Sequence, residues 1–311
     1  MSKANPLDLI RRKNARKMKK RKASYLGTMI DPKKFHKSQI KFLVVLVPIL
    51  IIMLLPIIFI ISHAFKPIEE LYAYPPKFFA TRFTFDNFRN LIIATSQTGI
   101  SFGRYIFNSL IVTVSVIILS LLLSSLAAYS FTFLEFKGKK FLFMANQFAI
   151  MFIAVAVAVP RFMVITYLGI TNTYLAHIIP LLAMPVGVFL LKQFMDQLPR
   201  ELSEAAVIDG ANKWQIYWNV VLPLVKPALA TVAILAFQAA WNNTETSTLY
   251  IVDEALKTLP YYLGSLTFGT SSVAVQGISA ASSLITFLPN IIIFIVLQSK
   301  VMNTMAHSGI K

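Results

Sequence analysis

Residues Phe42 to Ile61 form twenty consecutive positions without a charged side chain. A helix of that length spans about 30 Å, the thickness of a bilayer's hydrocarbon core. The run is too long for a signal-peptide core, lacks a small-residue cleavage site and precedes further apolar runs, so it reads as a retained first span over 42–64. Similar runs cover 105–134, 141–165, 174–191, 222–241 and 278–297. Backbone polar groups in lipid must be satisfied within the protein, which predicts six membrane-spanning helices and an all-α polytopic fold over 42–303. Composition agrees: of 311 residues 56% are hydrophobic and 14% charged, against about 25% charged in soluble domains.

The fifth run is the shortest. Ala228 to Ala240 supplies thirteen residues, and a full crossing needs either the Leu222 side or the stretch from Trp241 onward. Broken helices of this kind occur near transporter substrate paths.

Charge sets the expected orientation. The net charge is +17, and residues 1–41 alone hold fourteen Lys or Arg against Asp8 and Asp31. Beside a span, such a tail marks cytoplasmic retention and attraction to anionic lipid headgroups and is not read as a nucleic-acid arm. Lys137, Lys139 and Lys140 after the second span follow the same positive-inside rule. Six spans then put both the basic tail and the C-terminal tail, 304–311, in the cytoplasm. Lys66 to Arg104, with its prolines and phenylalanines, fits an ordered outer loop.

The loop over 196–224 breaks the apolar pattern. From Lys192 to Lys226, four bases (Lys192, Arg200, Lys213, Lys226) balance four acids (Asp196, Glu201, Glu204, Asp209), so the job of this stretch is specific contact more than topology. Pro199 suits a helix start and Gly210 a left-handed C-cap, predicting a helix from Pro199 to Asp209. At about 100° per residue Leu198, Leu202 and Ala205 share its inner face, while Glu204 and Val207 point outward. Asn212 with Gln215 resembles a capping box, and Trp214, Tyr217, Trp218 and Val221 repeat as one apolar stripe, predicting a second helix ended by Pro223. Ala205 and Ala206 keep the resulting knob low enough for another protein to approach closely.

Glu204-Ala205-Ala206, three residues, Gly210, nine residues, then Val220-Val221-Leu222-Pro223 resembles the EAA loop of binding-protein-dependent ABC importer permeases. Val220 stands where that family usually has isoleucine. Further pieces resemble the second permease subunit of carbohydrate importers, the MalG type: Ser62 to Phe65 with Lys66-Pro67, Phe83 to Phe88, Asn108-Ser109-Leu110, Ala127 to Phe131, Trp241-Asn242 and Phe287-Leu288-Pro289. The resemblance implies a MetI-like six-span fold in the inner membrane, importing a sugar or oligosaccharide. It also implies a homologous second permease, two ATPase subunits and an external solute-binding protein as partners. The ATPase-coupling residues it implies are Glu204, Ala205, Ala206, Asp209, Gly210, Leu222 and Pro223.

Polar side chains inside spans usually face a bundle interior or a water path. Asn146, Gln147 and Arg161 in the third run, and Trp241, Asn242 and Asn243 at the end of the fifth, are therefore candidates for the translocation path. Asn146 and Gln147 have a second reading as hydrogen-bond partners of a neighbouring helix, Arg161 as a snorkelling side chain, and Trp241 as an interfacial anchor. No G-x-x-x-x-G-K-[ST] segment is present, so ATP and Mg are expected on partner chains and this chain is not expected to be an enzyme. The four histidines, His36, His63, His177 and His307, lack metal-ligand spacing, and there is no cysteine. Two rival classes stay open at this point: a stand-alone secondary carrier, and a membrane enzyme or scaffold. An importer permease for a non-sugar solute is a third.

Overall fold

A computed structural model describes residues 37–308, apart from Pro76, residues 96–98, Ala154 and residues 268–272. The basic tail before Lys37 and the last three residues lie outside the described residues. Among the described residues every regular element is helical.

The chain divides into two units, residues 1–58 and 59–311. Within the first, the helix α1 (Lys37–Ala64) runs as far as Ile58 with Pro48 and Pro56 inside it, and its side chains from Phe42 to Leu55 are exposed. An apolar helix with no buried face among its own residues is built for lipid or for another chain. α1 starts at Lys37, so the last residues of the expected tail are helical.

The second unit is organised around α4 (Phe102–Phe133), 32 residues and so about 48 Å long. Before it come two short helices, α2 (Ile68–Leu71) and α3 (Asp86–Thr95). The buried face of α4 is mostly small or polar: Asn108, Ser109, Thr113, Ser120, Ser124 and Ser125. Small residues let helix backbones approach closely in membrane bundles, where apolar burial gives little drive. One such close approach to α4 is at Gly187 of α8 (Pro185–Met195), where an added Cβ would lie 3.0 Å from Ser124 Oγ and 3.1 Å from Val232 Cγ1.

The third expected span is not one helix. It divides into α5 (Lys139–Met151) and α6 (Ala158–Tyr167), with Phe152, Ile153 and residues 155–157 outside helix. Pro160 is the third residue of α6, where a missing N–H costs nothing, and its ring disfavours helix in the residues before it. The fourth span bends by 44° between α7 (Tyr174–Leu182) and α8. Pro185 opens α8, and Met184 before it has φ −118° and ψ 73°, outside the helical region as the residue before proline requires.

The fifth span also differs from 222–241. α9 (Glu201–Ile208) leads into a helical segment, α10 (Lys213–Leu224), which meets α11 (Lys226–Trp241) at 82°. Neither the Leu222 side nor the residues past Trp241 extends it, so α11 alone supplies sixteen residues, about 24 Å. α12 (Glu245–Tyr250) and α13 (Leu259–Thr267) precede α14 (Val273–Ser308), which begins before the expected 278 and carries helix through Ser308 into the expected tail. By length and apolarity α1, α4 and α14 can each cross a membrane, as can the bent pairs α7/α8 and α10/α11.

Two apolar clusters hold the second unit. One joins Tyr105, Phe237, Trp241, Tyr262, Leu263 and Leu284 at the Phe102 end of α4. The other joins Tyr129, Leu191, Met195, Ile216, Tyr217 and Val221 at its Phe133 end. The second cluster is the bed on which α9 and α10 rest.

Candidate functional site

α9 ends as its sequence dictates. Gly210 sits at φ 83°, a conformation open to glycine and strained for other residues, while nothing within 4 Å would meet its Cβ. The Gly210 N–H donates to the Val207 carbonyl (3.0 Å) and the Ala211 N–H to the Ala206 carbonyl (2.9 Å), a complete Schellman closure. Two residues later Asn212 Oδ1 accepts from the Gln215 N–H (2.9 Å) and Gln215 Oε1 accepts from the Asn212 N–H (2.7 Å). The capping box expected from the sequence is present. Together these closures fix a turn of four residues, Asp209 to Asn212, between α9 and α10.

The faces of the knob differ from the expected ones. Leu198 is partly buried, but the residue of α9 that packs on the cluster is Ala206, while Leu202 and Ala205 are exposed beside Glu204 and Val207. The Schellman closure ties Ala206 to Ala211 at the edge of the cluster. The outward surface of α9 therefore sets apolar side chains beside two exposed acids, Glu201 and Glu204, with Val207 60% and Ile208 85% exposed.

In α10 the stripe also rotates. Ile216 to Val221 is a π-helical turn with i→i+5 bonding, and the Leu222 N–H donates to the Tyr217 carbonyl. That register buries Ile216, Tyr217 and Val221 and leaves Trp214 and Trp218 half exposed or more. Pro223 does not end the helix, which runs through Leu224 and stops at Val225 before the Lys226-Pro227 start of α11. Leu222 is partly buried and Pro223 exposed.

Two polar bonds fasten the knob to the long helix, and a third ties the end of α8 to it. Ser125 Oγ lies 2.7 Å from the Tyr217 hydroxyl, in the interior. Ser125 donates its one proton to the Leu122 carbonyl (3.1 Å), so Tyr217 is the donor of the pair. The Tyr129 hydroxyl donates to the Lys213 carbonyl (3.1 Å), and Thr132 Oγ1 donates to Asp196 Oδ1 (3.0 Å). Tyr129 and Tyr217 also meet ring to ring at 5.3 Å.

The candidate path residues do not converge. Asn146 Nδ2 donates to the Pro185 carbonyl (3.1 Å), the helix-partner reading, and Gln147 is exposed on α5. Arg161 pairs with Glu245, tying α6 to α12. Trp241 is a core residue, 5% exposed, stacked on Phe237, with Nε1 donating to the Thr286 carbonyl (3.0 Å). Neither lining a path nor anchoring at an interface describes it. Asn243 Oδ1 accepts from the Thr246 N–H (2.9 Å) at the start of α12. Asn242 keeps an exposed amide, exchanging two hydrogen bonds of 3.2 and 3.1 Å with Asn290 of α14. Asn290 was not singled out from sequence, although an amide inside an apolar run is the same signal that marked Asn146.

The model of the binding-protein-dependent transport system inner membrane components matches residues 112–301. The chain belongs to that family. The permease is 30% identical to the inner membrane ABC transporter permease protein YcjP of Escherichia coli K12 over 88% of its own length and 97% of that protein's. It is 31% identical to the arabinooligosaccharides transport system permease protein AraQ of Halalkalibacterium halodurans, over 82% and 90% of the two chains. It is also 31% identical to the trehalose/maltose transport system permease protein MalG of Thermococcus litoralis, over 71% and 80%. Its fold matches a solved chain of a bacterial ABC transporter that imports the acidic polysaccharide alginate, with a TM-score of 0.73 at 23% identity, covering 86% and 98%. Membership removes the stand-alone carrier and the membrane enzyme as rivals.

At the Phe102 end of α4 the permease is held by a second polar network. Asn108, fully buried, donates to the carbonyls of Ala255 (2.9 Å) and Lys257 (2.8 Å) and accepts from the Tyr174 hydroxyl (2.6 Å). His177, also buried, meets Thr246 Oγ1 (2.8 Å) and the Leu256 carbonyl (3.1 Å). A carbonyl can only accept, which puts the imidazole proton on Nε2. Burial pushes the Tyr262 hydroxyl up to about 12, with Tyr105 and Glu254 adding to it. Near α2 the Glu70 carboxylate accepts from the Thr81 hydroxyl and N–H and from the Arg82 N–H, which hold it below the usual carboxylate value. Among the described residues no group of three His, Asp or Glu is placed to hold a metal.

Proposed function

We propose that this permease forms one half of a translocation pathway for a sugar or oligosaccharide, paired with a homologous second permease. The knob of α9 and α10 faces the cytoplasm and seats in one of two ATPase subunits. Glu204 makes the polar contact, exposed Ala205, Val207 and Ile208 give the apolar fit, and Gly210 holds the turn. ATP and Mg belong to those partners, this chain is non-catalytic, and an external solute-binding protein delivers the solute. The relatives named for arabinooligosaccharides and for trehalose and maltose support the substrate class.

The observation that carries the reading is the fastening of the knob to α4 through Ser125 and Tyr129. A force applied at α9 reaches a helix long enough to span the membrane, so ATPase closure can reorient the pathway. The test is Glu204→Ala and Gly210→Val in the assembled transporter. Both variants insert normally, while solute uptake falls at least tenfold and ATP hydrolysis loses its response to the solute-binding protein. Full uptake with normal ATPase stimulation in both would refute the reading.

A further inference from the structure

Where α4 ends, α5 begins and α8 ends, the protein holds an open cavity of about 750 Å³. Four bases line it, Lys139, Lys140, Lys192 and Arg200, against two acids, Glu135 and Asp196. The acids are taken: Glu135 by Lys139 (3.1 Å) and Asp196 by Lys192 (2.5 Å). Lys140 and Arg200 have no acidic partner among the described residues, so the cavity carries two uncompensated positive charges. A third positive feature is the start of α5. Gly138 caps it without a side-chain acceptor, its first turn has no acid, and two lysines occupy the place where the helix dipole favours anions. Placing cations there costs stability unless an anion is supplied from outside.

The rest of the lining is aromatic. Lys192 Nζ stands 4.7 Å from the Phe143 ring, and Phe141 is 71% exposed beside exposed Leu142 on the outer face of α5. Cationic groups over an apolar outer face, at the level where three spans end, match an amphiphile lying at the membrane–water boundary.

We propose that this cavity binds a phosphate-bearing anion, in its native setting the headgroup of an anionic phospholipid such as phosphatidylglycerol. Lys140 and Arg200 pair with the phosphate, the first turn of α5 donates to it, and an acyl chain lies along Phe141. Arg200 immediately precedes α9, so an occupied cavity steadies the approach to the knob. The proposal rests on the membrane placement of α4, α5 and α8 and not on the ATPase contact.

The experiment measures phosphatidylglycerol retained by the purified, assembled transporter, using native mass spectrometry, for the wild type, Lys140→Gln and Lys137→Gln. Lys137 is in the same loop but does not line the cavity. A cavity lysine paired with the headgroup contributes about 1 kcal/mol, so Lys140→Gln lowers retention about fivefold, while Lys137→Gln, outside the lining, lowers it by less than about twofold. Displacement by inorganic phosphate, with the same Lys140 dependence, keeps the phosphate site and assigns it a soluble source. Retained lipid that phosphate does not displace, and that phosphatidylcholine does not replace, assigns the headgroup. Equal loss in both variants, or no loss in Lys140→Gln, overturns the site. Because the readout is bound lipid, failure here leaves the ATPase-coupling test untouched.

Discussion

The hydroxyl of Tyr217 donates to Oγ of Ser125 across 2.7 Å of protein interior, joining a π-helical turn of the knob to the last third of the 32-residue α4. Neither group has water as an alternative partner. A bond of this kind contributes about 1 kcal/mol net, and more is lost if one buried partner is left unsatisfied.

Tyr217→Phe therefore leaves the permease folded and inserted but loosens the knob on α4. Uptake driven by a given rate of ATP hydrolysis is expected to drop severalfold, measured as solute transported per ATP in proteoliposomes. Ser125→Ala gives the same drop, and the double variant is no worse than either single one, because one shared bond is removed.

Gly187 tests the packing that carries the shift onward. Its Cβ position is 3.0 Å from Ser124 Oγ, so Gly187→Ala forces those neighbours apart by a few tenths of an ångström, and Gly187→Leu costs about 1–3 kcal/mol. The expected outcome is a lower thermal midpoint for Gly187→Leu in detergent. Ser124→Ala restores part of the smaller loss in Gly187→Ala, since Oγ is the nearest atom.

Much of the knob was legible because its signals are local. Gly210, Asn212 and Gln215 act within five residues of themselves, and the structure forms both closures that those residue types require. The faces were not legible, because the π-helical turn at Ile216 to Val221 shifts the register that a 3.6-residue period assumes. The split of the third span between Met151 and Ala158 was signalled by Pro160, but apolarity alone does not distinguish a continuous crossing from two half-helices. Trp241 shows a different limit. Its neighbours Phe237 and Thr286 come from one turn earlier and from another helix, and no local pattern announces a tertiary partner 45 residues away.

Glu70 supplies a pH dependence. Its hydrogen bonds from Thr81 and Arg82 favour the carboxylate, so the folded loop binds its proton more weakly than the unfolded chain does. The stabilisation is fully present above the ordinary value of 4.5 and is lost as pH falls through the lower folded value. Amide protection at Thr81 and Arg82, corrected for intrinsic exchange, should be flat at neutral pH and decline below 4.5. Glu70→Gln should show weaker protection with no such decline.

Rigid transmission from knob to span is tested most directly by a distance. The chain has no cysteine, so Asn219→Cys on α10 and Leu123→Cys on α4, both exposed, accept a pair of spin labels cleanly. In the assembled transporter the Asn219–Leu123 label distance should agree within about 2 Å between the nucleotide-free and ATP-trapped states, as for elements moving together. A change of about 5 Å or more, the scale of a one-turn slip, in a transporter that still imports solute would contradict the proposed coupling.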